Sequence, residues 1–184
     1  MSAQRFHYTM KSQGTDGQHE CLTTNKMEGF TMEYLLFSVW FTLIHTIMYM
    51  AAGSLALFTF SRVIYEGNKR ALDYQRDTAD KDDLTHISRW FLPAQLLRGA
   101  LFSVVLYPIL ATLGDVNLAM RFLFFFGLLF IYTHVGCASP CSDNIEGFVY
   151  MKPKYFQKKS FWKFQMEMIL YSAGSAAAAA SLLF

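Results

Sequence analysis

Apolar positions in this chain come in long blocks rather than in alternation. Tyr34 to Phe60 contains no Asp, Glu, Lys or Arg and has His45 as its one imidazole. Trp90 to Leu113 is a second block, interrupted by Arg98. Leu118 to Cys137 is a third, with Arg121 near its start and His134 near its end. Phe161 to Phe184 is a fourth, carrying Lys163 at its mouth and Glu167 one turn further in. A hydrocarbon layer of about 30 Å takes roughly 20 apolar residues in helix. The pattern therefore predicts an all-α integral membrane protein, a bundle of four transmembrane helices over about 34–60, 90–113, 118–137 and 161–184. The first block is too long for the apolar core of a cleaved leader, roughly 7–15 residues, and follows some thirty polar residues.

The polar stretches give the organisation. Residues 1–31 are rich in Gly, Ser, Thr and Gln and show neither helical nor strand period, so composition leaves them without regular structure. Met27 and Met32 are alternative starts, which would make the upstream stretch an extension. Residues 32–184 then form one transmembrane domain. In "SRVIYEGNKRALDYQRDTADKDDLTHISRW", Val63, Ile64, Tyr65, Leu72 and Tyr74 stand among the charges. That spacing predicts the first helix running on into the cytoplasm to about Tyr74. Asp83 or Thr85 is expected to cap the helix entering the second span, with Pro93 in its first turns. Tyr107-Pro108 predicts a kink late in that span. "ASPCSDNIEGFVYMKPKYFQKKSFWK" mixes turn formers with aromatics and lysines, as does a segment lying at headgroup level.

Charge sets orientation. The segment Ser61–Arg89 holds Arg62, Lys69, Arg70, Arg76, Lys81 and Arg89, and Ala138–Ser160 holds Lys152, Lys154, Lys158 and Lys159. "GDVN" between spans two and three has no basic residue. By the positive-inside bias both long loops, 61–89 and 138–160, are cytoplasmic and both termini outside, in a plasma or inner membrane. Composition agrees, with 53% hydrophobic and only 16% charged residues, the latter below the roughly 25% of soluble proteins. A net charge of +2, without a basic patch, argues against nucleic acid.

Candidate chemistry lies inside the spans. Arg98 is eight residues from Trp90, about 12 Å along a helix, and Glu167 six from Phe161, about 9 Å. With spans two and four entering from one side, the two charges fall at similar depth. They are expected to pair in a polar cluster with Gln95, His134, His45 and Tyr171. The alternative leaves Arg98 snorkelling to the headgroups and Glu167 paired with Lys163 one turn away. Arg121, close to the other end, is expected to snorkel. Gly174, Ala178 and Ser181 continue the Glu167 stripe with small residues suited to close helix packing, within the chain or in a homo-oligomer.

Cys137 and Cys141 in "CASPC" follow His134, but zinc needs about four ligands and a fourth is not evident. No metal and no cofactor is expected. The Asp80, Asp82, Asp83 turn reads as a solvated acidic turn; as Mg²⁺ ligands these residues would imply a lipid-modifying enzyme. No phosphate loop, zinc-protease helix or nucleophile elbow is present. Three functional readings follow. The leading one is a non-enzymatic binding, assembly or regulatory component whose partners are the bilayer and membrane proteins. The others are a small transporter or channel using the cluster as a proton or anion path, and the lipid-modifying enzyme.

Overall fold

The computed structural model describes residues 16–66, 73, 75–139 and 141–184. It is 81% helix, with no strand among the described residues. The chain divides into residues 1–35 and 36–184, and the second unit holds the packing described below.

Helix α1 spans Asp16–Ala56, continues through a π-helical turn Leu57–Ser61, and ends as α2, Arg62–Tyr65. Its residues 16–31 lie inside the stretch that composition left irregular. Once a long apolar segment is helical, extending it is far easier than nucleating it, and residues 16–31 hold no proline to stop it. At the other end Glu66 turns extended, so the helix stops well before Tyr74; residues 67–72 and 74 lie outside the described residues.

Helix α3, Lys81–Leu106, is capped by Asp80, whose carboxylate accepts from the backbone N–H groups of Asp82 and Asp83, each at 3.0 Å. Asp83, an expected cap, instead accepts from Arg76 at 2.7 Å and from the Asp77 backbone N–H at 2.9 Å. The other expected cap, Thr85, lies inside the helix and donates to the Lys81 carbonyl at 2.8 Å. Starting this early, α3 carries Pro93 in its interior rather than its first turns. The expected break at Pro108 is a 3-10 turn, Tyr107–Ile109, followed by α4, Leu110–Asp115. Asn117 caps α5, Leu118–Phe126, which passes into a π-helical run Gly127–Val135. A short helix α6, Ile145–Tyr150, precedes α7, Lys158–Leu182.

Among the described residues, three helical segments are long and apolar enough to cross a membrane: Met32–Ser61, Lys81–Asp115 and Leu118–Val135. They match the first three apolar blocks. The fourth block forms α7, whose 25 residues are long enough at 1.5 Å each, but Gln165, Glu167 and a run of Ser and Ala keep it less apolar.

The outside is apolar, and the interior mixes polar side chains with an apolar core that includes Phe41, Leu106, Phe125 and Leu129. Trp40, Ile47, Leu97, Leu101, Val105, Leu123 and Ile131 are exposed, whereas His45, Thr46, Ser103, Arg121, Ser172 and Ser175 are buried. Small residues make this interior compact. A Cβ on Gly99 would sit 3.0 Å from the Thr42 Cα, and one on Gly174 3.1 Å from the Met48 sulfur. The small face of α7 is therefore used within the chain, but along only part of the expected stripe. Tyr171, Ser172, Ser175, Ala176, Ala179 and Ala180 are buried, while Ala178 is half-buried and Ser181 is exposed. A bundle wraps α7 on more than one side, so its contact face is wider than a single stripe.

Candidate functional site

Glu167 projects from α7 toward the π turn that ends α1. Its carboxylate accepts a hydrogen bond from the Tyr65 hydroxyl at 3.2 Å, and neither expected cation reaches it. Lys163, one turn earlier, donates to the Phe60 carbonyl at 2.6 Å. A π turn disturbs the regular helical hydrogen-bond ladder, and a nearby ammonium satisfies such a carbonyl well. Arg98 lies over the rings of Tyr49, 5.6 Å to the centroid, and Phe102, 5.3 Å. Among the described residues no ion pair joins Arg98 to Glu167. Tyr49 stands next to both charges, taking Arg98 on its face and lining the cavity beside Glu167. Aromatic faces attract a desolvated guanidinium by up to about 2 kcal/mol, which gives Arg98 a protein partner without a carboxylate.

That cavity has a volume of about 370 Å³ and is lined by Tyr49, Met50, Gly53, Leu57, Tyr65 and Phe91, with Ser54, Thr78 and Glu167 as its polar members. Its Tyr65 wall is held in place. The Thr78 hydroxyl and backbone N–H both donate to the Tyr65 carbonyl at 3.1 Å, and the Tyr65 ring packs edge-on against Phe164 at 5.9 Å.

The other expected members form two separate groups. His45 and Tyr171 are each 1% exposed, with the phenol oxygen 2.6 Å from the imidazole Nδ1. Gln95 lies against the same ring. Phe102, Tyr49 and Tyr171 surround it with centroids 5.6, 6.2 and 5.5 Å away. A tyrosine beside a histidine has the makings of an acid–base pair, yet neither lines the cavity beside Glu167. The pair joins α1 to α7.

His134 forms the third group. Its Nδ1 lies 3.5 Å from the Asp143 carboxylate, and its ring packs on Phe130. Burial pushes the Asp143 carboxyl above the usual carboxylate range, and the His134 ring opposes that shift. Gln165 on α7 donates to the Asp143 carbonyl at 2.6 Å. The expected cluster is thus three sites, because side chains at similar depth on different helices point in directions that depth alone does not set.

Asp143 belongs to a loop organised by Asn144. The Asn144 amide donates to the carbonyls of Cys137 at 3.1 Å and Ser139 at 2.6 Å, and its oxygen accepts from the backbone N–H groups of Cys141 and Gly147. The last bond caps α6. A Cβ on Gly147 would fall 1.5 Å from the Cys141 carbonyl oxygen, so only glycine fits. Beside the loop runs a groove of about 520 Å³ with Phe148, Phe156, Phe161 and Trp162 among its walls. The Cys141 thiol is pushed above its ordinary range, by burial first and then by the Asp143 carboxylate.

Arg121 is the largest departure from expectation. It is 8% exposed and does not snorkel. Its guanidinium donates to four carbonyls: Leu113 at 2.8 Å, Ala180 and Val116 at 3.0 Å, and Gly114 at 3.1 Å. Phe184 covers it at 4.5 Å. The last carbonyls of a helix have no partner within it, and one guanidinium with five donors supplies several at once. No local motif marks this; the only sign is an arginine four residues after the helix-capping Asn117.

Among the described residues no three His, Cys, Asp or Glu side chains converge as a metal site. Comparison with known protein families, characterised proteins and solved structures returns no match.

Proposed function

We propose that the protein is a four-span integral membrane protein with its long loops on the cytoplasmic side and both termini outside, acting as a non-enzymatic binding or assembly component. The supporting observation is the apolar outer surface combined with polar groups buried in the core. Large apolar side chains cover the outside of the three apolar helices, while His45, Arg121 and the serines lie within. In water such a surface would aggregate, whereas in lipid it is the ordinary arrangement. Helix α7 then serves as the fourth span, its polar residues turned toward protein. The polar groups support binding rather than turnover: His45 and Tyr171 are sealed, Asp80 is occupied by a helix N-terminus and Asp83 by Arg76. The Glu167 cavity sets a carboxylate against an open, mostly apolar space.

Thiol labelling tests this reading. In a Cys21→Ser, Cys137→Ser background, Cys141 and a cysteine introduced at Asp73 are both expected to react with an impermeant reagent only from the cytoplasmic side. Labelling of the two from opposite sides overturns the topology. Ion or solute flux through purified protein in liposomes would replace the binding role with transport.

A further inference from the structure

We propose that the Glu167 cavity binds an organic cation, with its ammonium group against the carboxylate and its apolar body against Tyr49, Phe91, Met50 and Leu57. The inference rests on the binding role just described and names the ligand class.

Four observations carry it. First, Glu167 has hydroxyls beside it, the Tyr65 phenol and Ser61, but no cation, since Lys163 and Arg98 are engaged elsewhere. A carboxylate at an apolar wall with no cation beside it is costly, and either a proton or a ligand cation relieves that cost. Second, the walls are aromatic and aliphatic, and rings recognise alkylammonium groups through their faces. Third, the volume of about 370 Å³ lies in the range of small-molecule sites, roughly 300–1,000 Å³. A hard metal ion fits poorly, since Ca²⁺ and Mg²⁺ take about six or more oxygen ligands and the wall offers one carboxylate and a few hydroxyls.

The fourth observation is Gly53, on the α1 wall. A Cβ there would meet nothing closer than the Glu167 Oε1 at 3.8 Å, an ordinary contact. Unlike Gly99 and Gly174, this glycine is not required by a close helix approach. Glycine inside a helix costs about 0.5–1 kcal/mol relative to alanine. A small residue at this position keeps the space in front of the carboxylate open.

The test uses the full chain in phosphatidylcholine nanodiscs, titrated with phenyltrimethylammonium and with its neutral isostere tert-butylbenzene. The cation is expected to bind about tenfold more tightly than the isostere. Glu167→Gln should abolish that preference, and Gly53→Leu should abolish saturable binding of both probes while Gly53→Ala retains it. Equal affinity for the two probes, or a preference that survives Glu167→Gln, overturns the proposal. Displacement of the cation by Ca²⁺ more readily than by tetramethylammonium overturns it too. Should Gly53→Leu fail to fold, the comparison of wild type with Glu167→Gln decides alone. The outcome is separable from the topology, because labelling that overturned the cytoplasmic loops would leave this titration unchanged.

Discussion

Arg121 and Glu167 are both charges inside an apolar bundle, and the protein treats them in opposite ways. Arg121 is enclosed, with four carbonyls and a ring around its guanidinium. Glu167, thirteen residues before Ala180 on α7 and so about 20 Å along that helix, has hydroxyl neighbours and an open cavity. The contrast distinguishes a charge that joins helix ends from a charge left available. A buried charge by itself does not indicate a binding site; its remaining hydrogen-bonding capacity does.

The strongest way to break the comparison is Arg121→Leu. It leaves carbonyls of two helices without their shared donor, at about 1–3 kcal/mol for each that stays buried. A loss of about 3 kcal/mol or more is expected in detergent unfolding. Arg121→Lys should recover only part, because an ammonium cannot span the same fork. A loss under about 1 kcal/mol would show that the enclosed arginine behaves like a surface charge, and the contrast would fail.

Next in size is Gly147→Ala, which asks whether the Glu167 end is open merely because it is loose. A Cβ 1.5 Å from a backbone oxygen forces the Asn144-centred loop apart. About 2 kcal/mol is expected, within the usual range for strained or overpacked sites, with faster proteolysis confined to residues 138–150. A neutral result would mean that the whole end yields, not the cavity alone.

Tyr171→Phe removes the hydroxyl facing His45 and should cost about 1 kcal/mol, the scale of interhelical hydrogen bonds in membranes. Glu167→Gln should change stability less than that, in either direction, because an amide can still accept from Tyr65. This small effect beside the large one at Arg121 is the sharpest form of the contrast.

The smallest effect is kinetic. With its thiol pushed up by burial and by Asp143, Cys141 should alkylate more slowly than an unhindered cysteine at neutral pH. Its rate should still be rising with pH beyond the ordinary thiol range. Asp143→Asn removes the second of those causes and should shift the rate profile toward lower pH.

Much of the fold was legible along the chain. Three of the four apolar blocks are spanning-length helices, the break at Pro108 is present, and the positions of the internal charges needed only counting. The fourth block was legible as a helix, although alanine and serine contribute little to apolarity. The candidate site was legible in its members and not in its contacts. Gln95, Arg98, His45, His134, Glu167 and Tyr171 all stand in the helical interior region, yet they fall into three groups. Tyr65, Asp143 and Asn144, which complete two of those groups, come from loops or helix ends where no periodicity reports a direction.

What the linear order determined is which residues are helical and roughly how deep each charge stands, because a 1.5 Å rise converts position into depth. What only the tertiary structure decided is who faces whom. That depends on how each helix is rotated about its axis and on where π turns and loops release backbone groups. A guanidinium takes carbonyls at one end for this reason, while at the other a carboxylate keeps its place beside an open cavity.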